Sequence, residues 1–104
     1  MEQPNLLLIK EISGDDLDFE NSILEIIKKE FLEEVNSFQK NFSSQNYAEA
    51  SNTVHKIKHK IGLLGLNQGL EIATNFENQL KKGNITLHKN FLEILNKIHV
   101  YLYQ

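Results

Sequence analysis

Apolar residues recur every three or four positions along nearly the whole of this chain, and that period belongs to helices. Leu24, Ile27, Phe31, Val35, Phe38 and Phe42 mark a long amphipathic helix from about Asp16 to Ser43. Asn46 followed by Glu49 reads as a capping-box-like start for a second helix. That helix is expected to reach Leu64 and stop at Gly65, since a left-handed C′ residue is least strained as glycine. Asn67 is expected to cap a third, with Leu70, Ala73, Phe76, Glu77 and Leu80 toward the core and Gly83 at its end. Thr86 is expected to cap a fourth, with Leu87, Phe91, Ile94, Leu95, Ile98 and Leu102 on its apolar face. No period-two stretch marks a strand, and Leu6 to Ile9 is too short to assign. Connections of about two to four residues make neighbouring helices antiparallel. The fold expected is all-α, an antiparallel up-down four-helix bundle with an N-terminal extension of about a dozen residues lying across it. A chain of 104 residues suffices for one such domain, residues 1–104, around one core.

Charge and cysteine content narrow the function. The net charge of −3 argues against nucleic acid as the main partner, because phosphate-backbone binding needs a concentrated basic face. The charge is nonetheless uneven. Glu25, Glu30, Glu33 and Glu34 lie in the first third, while Lys56, Lys58 and Lys60 surround His55. A local basic patch suits a small anionic target such as a phosphoryl group. Without cysteine there is no thiolate chemistry, no disulfide and no thiolate metal site. The longest apolar run near the N-terminus, Leu6 to Ile9, is too short for a signal-peptide core or a membrane span. A cytoplasmic protein with no membrane contact is expected.

His55 is the candidate reactive group. At about 100° per residue, Val54, Ile57, Ile61 and Leu64 share one side of their helix and His55 points to the other. A neutral imidazole is a good nucleophile at physiological pH, and solvent exposure leaves it free to meet a partner. Lys58, three residues on, occupies a neighbouring position of the same face, where an ammonium could meet phosphoryl oxygens. Lys56 and Lys60 fall more to the flanks, at the rim a partner would touch. Gly62, two turns from His55 on the same face, sits inside a helix at a cost of about 0.8–1 kcal/mol relative to alanine. Clearance for a docking partner would account for it. His55 and His59 have the i, i+4 spacing that binds zinc on helices. Further ligands are missing, since there is no H-E-x-x-H and His88 and His99 belong to the last helix. No metal site and no cofactor is therefore expected, and no glycine-rich phosphate loop suggests nucleotide binding.

The run H-x-[hydrophobic]-K, with a glycine ten positions after the histidine, resembles the histidine-containing phosphotransfer (HPt) domain. The matching positions are His55, Ile57, Lys58 and Gly65, and Phe76-Glu77 stands where the family's next helix carries a Leu-Glu or similar pair. The resemblance runs from about Asp15 to the C-terminus, and its specific part is the segment from His55 to Gly65. The family usually has glycine then serine or threonine after the lysine, where this chain has His59-Lys60.

The resemblance implies a phosphorelay intermediate. His55 would accept a phosphoryl group from the aspartyl-phosphate of a response-regulator receiver domain and pass it to another receiver. Lys58 would stabilise the phosphoryl group, and Glu77 would help orient the histidine or the lysine. Lys56, His59, Lys60 and Gly62 would form the docking face. Partners would be receivers or a hybrid sensor histidine kinase, with magnesium on the receiver only. Such a chain is a phosphotransfer protein rather than an enzyme, and is expected to be a monomer. A helical module that docks on receivers or kinases without being phosphorylated is the alternative.

Overall fold

The computed structural model describes residues 2–103. Five helices follow one another: α1 Leu7–Ser13, α2 Leu17–Ser43, α3 Tyr47–Leu63, α4 Asn67–Leu80 and α5 His88–Leu102. No strand occurs among the described residues. The all-α reading therefore holds, and the short apolar run at Leu6 to Ile9 resolves as the start of α1. In α1, Ile9 and Ser13 face inward one turn apart, and the Ser13 hydroxyl donates to the Ile9 carbonyl at 2.8 Å.

α3 lies at the centre of the arrangement, packed against both α2 and α4, while α4 also meets α5 and α1 meets α2. Its stripe is as the periodicity placed it, with Val54, Ile57, Ile61 and Leu64 all fully buried. α5 returns to α2 through Phe38 and Phe91, whose rings meet edge-on at 5.2 Å, and through the Tyr103 hydroxyl, which donates to the Lys28 carbonyl. Phe31 and Phe38 are core residues, whereas Phe42 is partly buried and stacks on the His88 ring at 3.8 Å.

The N-terminal ends of the helices agree with the sequence at two places and differ at two. Asp16 caps α2 by accepting from the Phe19 amide at 3.0 Å, and Asn46 caps α3 by accepting from the Glu49 amide at 3.4 Å. Only half of the capping box forms at α3, because the Glu49 carboxylate accepts from the Asn52 side chain at 3.5 Å. Asn67 does not cap α4. It is the first helical residue, and the free amides of Gln68 and Gly69 donate instead to the Glu2 carboxylate at 2.9 and 3.0 Å. An acidic side chain at a helix N-terminus satisfies both the orphan donors and the dipole.

Thr86 does not cap α5 either. Its amide donates to Asn84 Oδ1 at 2.9 Å, and α5 begins at His88 with no side-chain cap. The α4–α5 connection is residues 81–87, longer than the turns expected.

Gly65 serves the N-terminal extension as well as the helix end. Its φ of 79° is left-handed, and a Cβ there would come within 2.6 Å of the Asn5 side chain. The Asn5 amide donates to the Leu64 carbonyl at 2.8 Å, so the chain start crosses the α3–α4 corner tightly. Lys97 of α5 donates to the Glu2 carbonyl at 3.1 Å and fixes the other side of this strap.

Candidate functional site

His55 projects from the middle of α3, with a side chain 53% exposed. Opposite it, on α4, Glu77 is buried to 10% side-chain exposure. The two helices are tied at this level by the Ser51 hydroxyl, one turn before His55, which donates to the Glu77 carbonyl at 3.0 Å. That bond sets the height of the carboxylate against the imidazole. Glu77 Oε2 lies 3.0 Å from His55 Nδ1, and Lys58 Nζ lies 2.9 Å from Oε1. The Lys58 contact is a close ion pair without the alignment of a good hydrogen bond. A third cation, Lys81 just beyond α4, has its Nζ 3.8 Å from Oε2.

Burial alone would push the Glu77 carboxyl up, but Lys58 and then His55 outweigh it and hold the pKa below the ordinary carboxylate value. The group is an anion near neutrality and can only accept hydrogen bonds. His55 Nδ1 therefore carries the proton of this bond, and in the neutral ring the lone pair is then on Nε2.

Six of the seven proposed site residues fall into three groups. His55, Lys58 and Glu77 come together as described. Lys56 is exposed and lines, with His55, Glu77, Lys81, Glu49 and Asn52, an open hollow of about 530 Å³. His59 and Gly62 lie on the other side of Lys58, in a second hollow of about 360 Å³ with Leu63 and Leu70. The His59 ring stands edge-on to His55 with centroids 5.2 Å apart. A Cβ on Gly62 would meet only Leu70 Cδ2, at an ordinary 3.6 Å, so internal packing does not demand glycine there.

Lys60 departs from the docking face expected of it. Five positions after His55, it points to α2, where its Nζ lies 2.9 Å from Glu30 Oε1 and 3.0 Å from Glu34 Oε2. Its side chain is 12% exposed. Burial would lower its pKa, but the two carboxylates more than offset that and raise it. The uneven charge of the sequence thus partly cancels inside the fold: Lys60 is taken by Glu30 and Glu34 and Lys58 by Glu77, while Lys56 and Lys81 stay exposed beside His55.

Sequence reasoning missed Ser51 and Lys81. Both had a usable signal, since Ser51 lies four residues before His55 and Lys81 four after Glu77. Among the described residues no group of three or more histidine, aspartate or glutamate side chains is placed to hold a metal ion, and no helix is long and apolar enough to cross a membrane.

No curated protein and no solved structure gives a significant match to this chain. The family model described as Hpt domain does, over residues 22–102, a span that starts inside α2 and ends at the last residue of α5. Hpt domains are phosphotransfer modules of phosphorelay signalling that interact with response-regulator receivers. With this match covering most of its length, the chain belongs to the Hpt domain family.

Proposed function

We propose that this chain is a phosphorelay intermediate in which His55 takes a phosphoryl group from the aspartyl-phosphate of one receiver domain and gives it to another. The observation that carries the reading is the pairing of an exposed His55 with a buried carboxylate at Nδ1, 3.0 Å away. It supports a ring whose free lone pair, on Nε2, faces a visiting partner. Nε2 attacks phosphorus, the bond from phosphorus to the aspartate oxygen breaks, and the aspartate leaves as carboxylate. The proton on Nδ1 stays where it is. The positive charge that the ring acquires is offset by Glu77, which makes Glu77 the orienting and charge-balancing residue.

Lys58 supplies a mobile ammonium for the phosphoryl oxygens, a role that its i, i+3 relation to His55 supports. Lys56, His59 and Gly62 form the docking edge, and the bare backbone at Gly62 gives clearance beside the histidine. Magnesium is expected on the receiver alone, which also brings the aspartate. In this reading α2 to α5 form a single antiparallel four-helix bundle, with α1 and the strap as an N-terminal extension that also fastens the α3–α4 corner. The test is incubation with a phosphorylated receiver and magnesium, followed by ³¹P spectroscopy of the chain. The reading predicts label on the Nε2 position of a histidine. Absence of label, with receivers that do phosphorylate other members of the family, would overturn it.

A further inference from the structure

Glu77 holds more positive charge than its work on His55 requires. Oε1 is paired with Lys58 at 2.9 Å, and Oε2 faces both His55 Nδ1 at 3.0 Å and Lys81 Nζ at 3.8 Å. In this arrangement Lys58 is engaged with Glu77, and a phosphoryl group on His55 would compete with that carboxylate for its ammonium. Departure of Lys58 would leave Oε1 of a carboxylate only 10% exposed without a counter-charge, since His55 Nδ1 bonds the other oxygen, and a buried polar atom left unpaired is unfavourable. Lys81 is the other lysine within reach of Glu77. It follows the last turn of α4, its side chain is 57% exposed, and it lines the same hollow as His55. Its Nζ is already 3.8 Å from Oε2, so a tight ion pair is a short distance away.

We infer that Lys81 is a positioning residue of this site, taking over the Glu77 carboxylate when Lys58 leaves it for the phosphoryl group on His55. The inference rests on the reading of His55 as the acceptor. Lys81 acts through Glu77 and not on the phosphoryl group itself. Without Lys81, Glu77 competes harder for Lys58 and its uncompensated charge faces the phosphoryl group. It also favours the ring-protonated phosphohistidine, in which imidazole is the better leaving group. Both effects shorten the life of the phosphorylated state.

The test needs no receiver. Phosphoramidate loads the histidine directly: the new bond from Nε2 to phosphorus forms as the donor's P–N bond breaks and ammonia leaves. His55→Gln identifies the signal that belongs to His55. Hydrolysis is then followed by ³¹P spectroscopy, as water attacks phosphorus, Nε2 departs and inorganic phosphate appears. Lys81→Gln should shorten the half-life about two- to fivefold, the range for one partly exposed ion pair, and Lys81→Arg should restore it. In a Glu77→Gln background Lys81→Gln should change nothing, since no carboxylate remains to neutralise. An equal loss in both backgrounds would mean that Lys81 touches the phosphoryl group, and would overturn the inference. So would an unchanged half-life, or failure of Lys81→Arg to restore it. Should Glu77→Gln fail to fold, Glu77→Ala serves as the same background. Because phosphoramidate loads without a partner, a chain that no receiver labels would overturn the relay and leave this comparison intact.

Discussion

Replacing Lys58 by alanine separates what the lysine does for chemistry from what it does for the fold. A charge-assisted hydrogen bond to a phosphoryl oxygen is worth about 1.5–3 kcal/mol. At 1.36 kcal/mol per decade, its loss should slow transfer about ten- to a hundredfold. The fold should suffer less. The Lys58–Glu77 pair, with side chains 20% and 10% exposed, lies between surface pairs, worth about 0.2–1 kcal/mol, and buried pairs, whose breakage costs about 3–5 kcal/mol. His55 and Lys81 still hold Glu77 after the substitution, so a loss of about 1 kcal/mol is expected, lowering Tm by roughly 4–8 °C. Single-turnover transfer from a phosphorylated receiver gives the first quantity, and urea denaturation the second. In a Glu77→Gln background the stability loss should disappear while the rate loss remains. An unchanged rate for Lys58→Ala would show the lysine to be a structural counter-ion, and the phosphoryl role would fall.

The depressed Glu77 pKa has a signed consequence: its stabilisation is present above the unfolded carboxylate pKa of about 4.3 and is lost as pH falls through the lower folded value. The stability advantage of wild type over Glu77→Gln should therefore shrink below about pH 4 in denaturation series, and an advantage that grew in acid would refute the pairing. Gly62→Ala should raise stability by up to about 1 kcal/mol, since the new methyl meets only Leu70, with a modest loss of transfer. Gly62→Glu should fold but weaken receiver binding in titration calorimetry, and unaltered binding would remove the clearance argument. Glu2→Ala should cost about 0.5–2 kcal/mol by stripping the cap from α4, read as a fall in Tm, whereas Asn67→Ala should leave Tm nearly unchanged.

What was legible in the sequence is what a local period or a local spacing can encode. The 3.6-residue period puts His55 opposite Val54, Ile57 and Ile61 whatever lies around the helix, and Lys58 follows from the same geometry. The caps at Asp16 and Asn46 were readable because donor and acceptor lie three residues apart. The cap of α4 was not, because its oxygens come from Glu2, sixty-six and sixty-seven residues away. A plausible local substitute, Asn67, stood in its place. Lys60 looked like part of a basic patch because its counter-charges, Glu30 and Glu34, sit on another helix. The helical period showed Glu77 only as a polar residue on the core side of its helix, and its orienting role came from the resemblance to the HPt domain. Its bond to His55 depends on how α4 packs on α3, which the Ser51 hydroxyl bond helps to fix.

The central claim is that His55 receives the phosphoryl group. The most direct measurement is label transfer from a phosphorylated receiver to wild type, His55→Gln and His59→Gln side by side, with folding checked by circular dichroism. His59→Gln, at an exposed position, should change stability by no more than about 0.5 kcal/mol, and His55→Gln, which gives up the bond to Glu77, by about 0.5–1.5 kcal/mol. Wild type and His59→Gln should take up label that is lost in acid and kept in base, and His55→Gln should take up none. Normal labelling of a folded His55→Gln protein would contradict the account.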